Sequence, residues 1–383
     1  MSDHRVTKFA IPEIIFGQGS IGYLAQCSRR LGAKRALLVT DQGLIDSGWA
    51  GHVMDILRDD GVDFVLFDKV NSNPRDYQVH EGADLYVREK ADVIIALGGG
   101  SPMDTAKGVG TIVGNGGRIA DYEGANRIMR PLPPMIFIPT NAGSGSDISQ
   151  FCIITDVERQ VKMSIISRSL VPNVSIIDPN LLMTKGDQLV VSSAIDALAH
   201  AIESFVSPLA SPFTENQALK AIELIAKNLQ PALENRTPEL MEQLSIASTA
   251  AGMSFSNAGL GIGHALAHSL GGIFDTLHGL VHPIVLPAVM RYNLPACPEK
   301  MCAIGRIIQG NPKSCSSSQG EEGIAQLEEL FARLDVPHRM RDIVPDDSKL
   351  EQICRMAVHD ACMLTNPRKA DWEDLLAICR EAW

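Results

Sequence analysis

Residues 91–107 read ADVIIALGGGSPMDTAK. The apolar run VIIAL ends in three glycines and a serine, and a helix-compatible segment follows. A run that is apolar at every position is a strand buried on both faces, as in a parallel sheet covered by helices. Glycines between a strand and a helix let backbone approach a phosphate closely, and the free N–H groups of the helix start attract its charge. The stretch therefore predicts a strand, a phosphate-cradling corner at Gly98, Gly99, Gly100 and Ser101, and a helix from about residue 103, with Asp104 in its first turn.

Similar runs lie on either side. RALLVTD (35–41), VDFVLFD (62–68), PMIFIPT (134–140) and VSIIDP (174–179) read as strands, with helical patterns at 44–59 and 76–90. Alternating strands and helices predict a doubly wound, Rossmann-like parallel α/β sheet. Ligands of such sheets sit beyond the carboxyl ends of the strands. Asp41, Asn73, the glycine corner and Thr140 all fall there and should surround one crevice. Asp41 either accepts from a ribose 2′-hydroxyl, favouring NAD over NADP, or caps the next helix. The loop TNAGSGSD (140–147), with Asn141 and Ser144, either wraps a nicotinamide or phosphate or is a plain connection. A β-ribbon is expected at 151–156 and 161–166, carrying Lys162 either within reach of the cofactor or as an exposed strand lysine. Gly17–Gly22 matches GxGxxG but lacks the acidic residue of the required βαβ frame, so it reads as a turn.

From about residue 187 the strand pattern vanishes. Helices fit 213–229, 238–257, 260–271, 279–292, 320–334, 348–363 and 371–381, with a polar loop at 310–320. The expected division is an α/β domain at 1–186 and an all-helical domain at 187–383. In the second, SSAIDALAHAIESF places Asp196 and His200 four apart, and GHALAHSLGGIFDTLHGLVH places His264 and His268 four apart, with His278 ten residues on. Residues four apart share a helix face. One carboxylate and three imidazoles, Asp196, His200, His264 and His278, suit Fe²⁺ or Zn²⁺.

The bulk composition narrows the partners. The chain has 383 residues and a net charge of −11, which disfavours nucleic acid and anionic membranes. The N-terminus lacks a secretory h-region, and no uninterrupted apolar run matches a membrane helix. Eight scattered cysteines without a CxxC pair suggest reduced thiols in the cytoplasm.

FGQG, GGGSPMDTAK, PTNAGSGSD, DALAHAIE, GHALAHSLGGIFDTLHG and NPRKADWEDLLAICREAW occur in the order found in the iron-containing (group III) alcohol dehydrogenases, which the chain resembles over essentially its whole length. The resemblance implies a dehydroquinate synthase-like architecture, NAD(P) near Asp41, Asn73, Gly99, Gly100, Ser101, Thr140 and Lys162, and metal on Asp196, His200, His264 and His278. It makes His268 the non-ligand histidine of the active site, expected to relay a proton. It implies a small alcohol or aldehyde as substrate and a homodimer or larger homo-oligomer. Ethanol, propanediols, lactaldehyde and a small aldehyde bearing a charged tail all remain open as substrates. Asn141, Ser144 and Asp147 replace the family's Thr, Thr and Glu. His282 stands where the family often has asparagine; four residues after His278, it either lines the substrate pocket or competes as a ligand, or else it stands behind the ligands or faces solvent. A cyclase of dehydroquinate synthase type is the rival enzyme, disfavoured by the apolar surroundings of the histidines. A redox or metal sensor on the same scaffold is the non-enzymatic rival.

Overall fold

A computed structural model describes residues 8–310 and 319–383. Most of the expected polar loop at 310–320, and residues 1–7, lie outside them.

The strands are β1 (Glu13–Phe16), β2 (Arg35–Val39), β3 (Asp63–Phe67), β4 (Val93–Gly98), β5 (Gly124–Ala125), β6 (Met135–Pro139), β7 (Phe151–Asp156), β8 (Val161–Ile166) and β9 (Val174–Ile177). Between them run α1 (Leu24–Arg30), α2 (Gln42–Asp46), α3 (Trp49–Asp59), α4 (Asp76–Arg88) and α5 (Gly100–Asn115). Successive strand residues face opposite sides of a sheet. Ala36, Leu38, Ile95, Leu97, Ile136 and Ile138 therefore pack with Leu24, Val53 and Leu57 of α1 and α3. Leu37, Val39, Ile94, Ala96, Met135 and Phe137 pack with Ala83, Met103, Ala106 and Val109 of α4 and α5. Both faces are covered, which is why these strands read as apolar throughout.

The sheet is parallel, in the order β1-β9-β6-β4-β2-β3. The chain steps outward from β2 to β3, then crosses back to β4 on the other side of β2. The winding thus reverses between β2 and β4, and the crevice beyond their carboxyl ends is the expected ligand position. The predicted ribbon forms a small sheet of order β5-β8-β7. The GxGxxG match is a turn: Gly17 and Gly19 have φ of 135° and 79°, and residues 20–23 form a 3-10 helix.

The second half contains α6 (Asp187–Val206), α7 (Pro212–Glu234), α8 (Pro238–Ala258), α9 (Ile262–Phe274), α10 (His282–Asn293), α11 (Pro298–Ile308), α12 (Gln319–Ala332), α13 (Leu350–Ala357) and α14 (Trp372–Glu381). The first three enclose one apolar core, and α9, α10, α13 and α14 enclose another. Helix α6 is long and apolar enough to cross a membrane, but 94% of that window is buried inside the protein.

Three sequence expectations change. Helix α5 starts at Gly100 rather than near 103, because the glycine corner lets the helix begin directly at the strand end. The helix expected at 348–363 breaks after Ala357. Asp360 has extended backbone there, and its side chain caps a 3-10 turn at 361–365 by accepting from the Cys362 N–H. The all-thiol expectation also fails in part: among the described residues six cysteines are free, but Cys302 is disulfide-bonded.

Two backbone approaches fix the site-bearing elements. Loop 140–147 lies against α6, where a Cβ on Gly143 would stand 2.6 Å from the Ser193 carbonyl oxygen. The turn carrying His278 lies equally close, since a Cβ on Gly279 would stand 2.2 Å from the Ser192 carbonyl oxygen. Neither backbone can yield cheaply, so Gly279→Ala is expected to destabilise the protein by about 1–3 kcal/mol through overpacking. A lowered urea midpoint checks this; an unchanged midpoint would show that the turn is free to move.

Candidate metal centre and nucleotide cleft

On α6, Asp196, His200 and Glu203 recur at spacings of four and three and so share one face. Helix α9 crosses that face, bringing His264 to Glu203 and Asp196. Gly261, the N-cap of α9, offers no side chain to the helix start. Glu203 takes that role from the neighbouring helix: its carboxylate accepts from the backbone N–H of Gly263 (2.6 Å), Gly261 (3.2 Å) and His264 (3.3 Å). It also meets His264 Nδ1 at 2.6 Å. An ionised carboxylate satisfied by backbone donors accepts the proton of Nδ1, leaving Nε2 of His264 as the free donor atom.

That Nε2 lies 3.7 Å from Asp196 Oδ1, with His278 Nε2 at 3.5 Å and His282 Nε2 at 3.2 Å from the same oxygen. Asp196 Oδ1, His264 Nε2 and both ring nitrogens of His282 are buried and make no hydrogen bond. One ligand atom from each of the four residues falls within 4.8 Å of all the others. Ligands about 2.1 Å from one cation at tetrahedral angles are about 3.4 Å apart, so the spacing fits a shared divalent ion. Orphaned buried polar atoms cost about 1–3 kcal/mol each, and a cation removes that cost.

The sequence set is placed as follows. Asp196, His264 and His278 meet, and His282 joins them. His200 stands beside them: its ring stacks 4.3 Å from that of His264 and 4.1 Å from that of Phe255, and its Nδ1 is also buried without a partner. His282 is fully buried, which corrects the solvent-facing reading; it lies under the cluster because the turn at His278–Leu280 feeds directly into α10.

Charge follows the same geometry. Burial pushes the Asp196 carboxyl up, but His200, His278, His264 and His282 around it carry it well below its usual range. Burial holds His200 and His278 well below the ordinary imidazole value, so both are neutral and ready to coordinate. Burial also opposes a proton on His264, but Asp196 and Glu203 outweigh it and hold its pKa at about 9.

A cleft of about 730 Å³ joins this cluster to the sheet. Asp41, Asn73, Gly99, Gly100, Ser101, Asp104, Thr140, Asn141, Ser144 and Lys162 line it together with Asp196, His200, His264, His268 and His278. Gly98 does not line it; its role is the corner itself, at φ 156°. Gly99 precedes α5 without a side-chain cap, so the N–H groups at that helix start are free for an anion. Asp41 also caps α2, accepting from the Leu44 N–H at 3.1 Å. Asp104 is held from behind by Ser146 Oγ (2.5 Å) and the Ile153 N–H (3.1 Å). Lys107, fully buried, donates to the Ser149 and Phe151 carbonyls and ties the 140–150 loop to α5.

Lys162 is not an exposed strand lysine. Its Nζ donates to Asn73 Oδ1 at 2.7 Å, and Asn73 donates to Asp275 Oδ1 at 2.5 Å. Burial lowers its pKa to about 8, against the opposing charge of Asp275. His268 sits between the cleft and a larger cavity of about 1760 Å³, lining both. Its Nδ1 meets Asp360 Oδ2 at 2.8 Å. Glu203, Asp275 and Asp360 had not been singled out from sequence. Only Glu203 carries a signal there, its position seven residues after Asp196.

Comparisons with known proteins identify the family. The profile of the family "iron-containing alcohol dehydrogenase" matches residues 12–179, and that of the family's C-terminal region matches 190–383. The 1,3-propanediol dehydrogenase of Klebsiella pneumoniae is 37% identical over 99% of this chain and 100% of its own length. The NAD-dependent methanol dehydrogenase of Bacillus methanolicus is 35% identical over 98% and 100%. A crystal structure of a 1,3-propanediol oxidoreductase superimposes with a TM-score of 0.96 at 37% identity, covering 99% of this chain and 100% of that one. The chain belongs to the iron-containing alcohol dehydrogenase family, oxidoreductases that interconvert alcohols and aldehydes with a nicotinamide cofactor and a metal.

Proposed function

We propose that the enzyme interconverts short, uncharged alcohols and aldehydes, using NAD(H) in preference to NADP(H) and Fe²⁺ in preference to Zn²⁺. One observation carries this: the uncapped start of α5 and the buried Asp196–histidine cluster open into the same cleft. The propanediol- and methanol-oxidising relatives support a short substrate. The family name supports iron, since carboxylate and imidazole donors alone accept either metal.

A bound cation would supply Lewis-acid polarisation of the substrate oxygen, and a bound nicotinamide would supply or accept the hydride. Asp196, His264 and His278, with His200 at the cleft wall, would hold the cation. Glu203 fixes the His264 tautomer by occupying Nδ1. The N–H groups at the start of α5 hold the pyrophosphate, and Ser101 adds a hydroxyl. Asp41 receives the ribose and repels a 2′-phosphate. His268 handles the hydroxyl proton: with Nδ1 donating to Asp360, Nε2 takes the proton in oxidation and returns it in reduction.

An anaerobic screen of one- to four-carbon aldehydes with NADH and NADPH, supplied with Fe²⁺ or Zn²⁺, tests the whole reading. Fastest turnover is expected with Fe²⁺, NADH and a short aldehyde; failure to turn over any aldehyde or alcohol would sink it. Asp41→Asn keeps a helix cap but removes the charge. It should raise the NADPH/NADH ratio of kcat/KM by about tenfold, the effect of about 1.4 kcal/mol of relieved repulsion. An unmoved ratio would leave Asp41 only its capping role. His268→Ala should lower kcat by about 10²-fold, with the pH profile flattened; full turnover across pH would exclude the relay.

Metal uptake should depend on pH in a defined direction. In the metal-free protein His264, with its pKa at about 9, carries a proton at neutral pH that a metal must displace from Nε2. Apparent affinity should therefore rise about tenfold per pH unit below that value and level off above it. Chelator competition at several pH values reads this directly, and a flat profile would refute the protonated state.

A further inference from the structure

His282 makes sense only as part of the metal centre. It is fully buried, and neither of its ring nitrogens has a hydrogen-bond partner. A buried imidazole left unpaired costs about 1–3 kcal/mol per orphaned group, so a core role alone does not account for it. Its Nε2 is also the ring nitrogen nearest to Asp196 Oδ1, at 3.2 Å, yet the two do not form a hydrogen bond. That separation is close to the roughly 3.4 Å expected between neighbouring ligands of one cation. The His282 ring lies 4.4 Å from that of His264 and 5.1 Å from that of His278. The access differs as well: His200 and His278 line the cleft, whereas His282 does not. His282 approaches the centre from the protein side and leaves the substrate side open.

We infer that His282 is an additional ligand of the catalytic cation, giving this chain a centre of one carboxylate and four imidazoles. The inference rests on the metal reading proposed above. Its consequence is a more nitrogen-rich centre of higher coordination number, in which the fifth donor holds the ion from beneath without occupying the substrate position. His282 acts on retention and geometry of the metal, and no proton transfer is assigned to it.

The test uses Co²⁺ as the probe, titrated anaerobically into the metal-free full-length protein and into His282→Asn. Wild type should bind one Co²⁺ per chain with weak visible bands typical of five-coordination. The variant should bind about 10–100-fold more weakly, with stronger bands of a four-coordinate ion. In histidine-¹⁵N-labelled wild type, four imidazole rings should show cobalt-induced shifts, and the variant should lose one. Equal affinity, unchanged bands and no contact shift on the His282 ring would overturn the role of His282 while leaving the metal centre standing. A wild type that binds no Co²⁺ would sink the metal reading and this inference together. Far-UV circular dichroism and thermal midpoints of the metal-free proteins check folding. His282→Gln serves as the second variant, and the assigned His282 ring signal in wild type reads the ligation directly even if neither variant folds.

Discussion

The buried carboxylate of Glu203 is the contact on which the centre depends. It reaches from α6 to the start of α9 and satisfies three backbone N–H groups that no side chain of α9 itself caps. A helix start bears a partial positive charge, so a carboxylate there is stabilised in a place where an isolated one would not be tolerated. The same oxygens orient His264. One side chain therefore sets the crossing of two helices and the tautomer of a donor. Because Asp196 lies on the same face of α6, fixing Glu203 against α9 also fixes how Asp196 meets His264 and His278.

The chemistry is divided along the fold. The winding reversal between β2 and β4 opens a crevice in the sheet half, and α6 and α9 bring the histidine cluster to its mouth. The two halves are also tied at the cleft by Lys162, Asn73 and Asp275 in series. Asn73 and Asp275 both adopt left-handed backbone, with φ of 56° and 54°. Non-glycine residues rarely do so without compensation. Asp275 ends α9 and Asn73 lies in the loop before α4, and the hydrogen bond between their side chains makes the link across the cleft.

His268 and Asp360 add a second polar pair behind the cluster. The break between α13 and the following 3-10 turn matters for this reason. Extended backbone at residue 360 lets one carboxylate oxygen cap the turn and the other meet His268. A continuous helix would have carried Asp360 past that position. His268 lines both the cleft and the larger cavity, and Asp360 lines the larger one, so the pair stands where the two spaces meet.

Much was legible in the chain itself. Apolar runs ending in Asp41, the glycine corner and Thr140 specified a parallel sheet and its binding edge, because burial on both faces and strand polarity leave marks at every residue. The spacings of Asp196, His200, His264 and His268 specified shared helix faces. Sequence spacing says nothing about which face of one helix meets another, and so Glu203, Asp275 and Asp360 emerged only with the packing. The same ignorance left His282 open between solvent, the pocket and the ligands, when the turn at His278 buries it beneath the cluster. Local periodicity determined the elements and their polarity; the crossing of α6 over α9 decided which side chains converge, since convergence is a property of three-dimensional contacts between segments far apart in the chain.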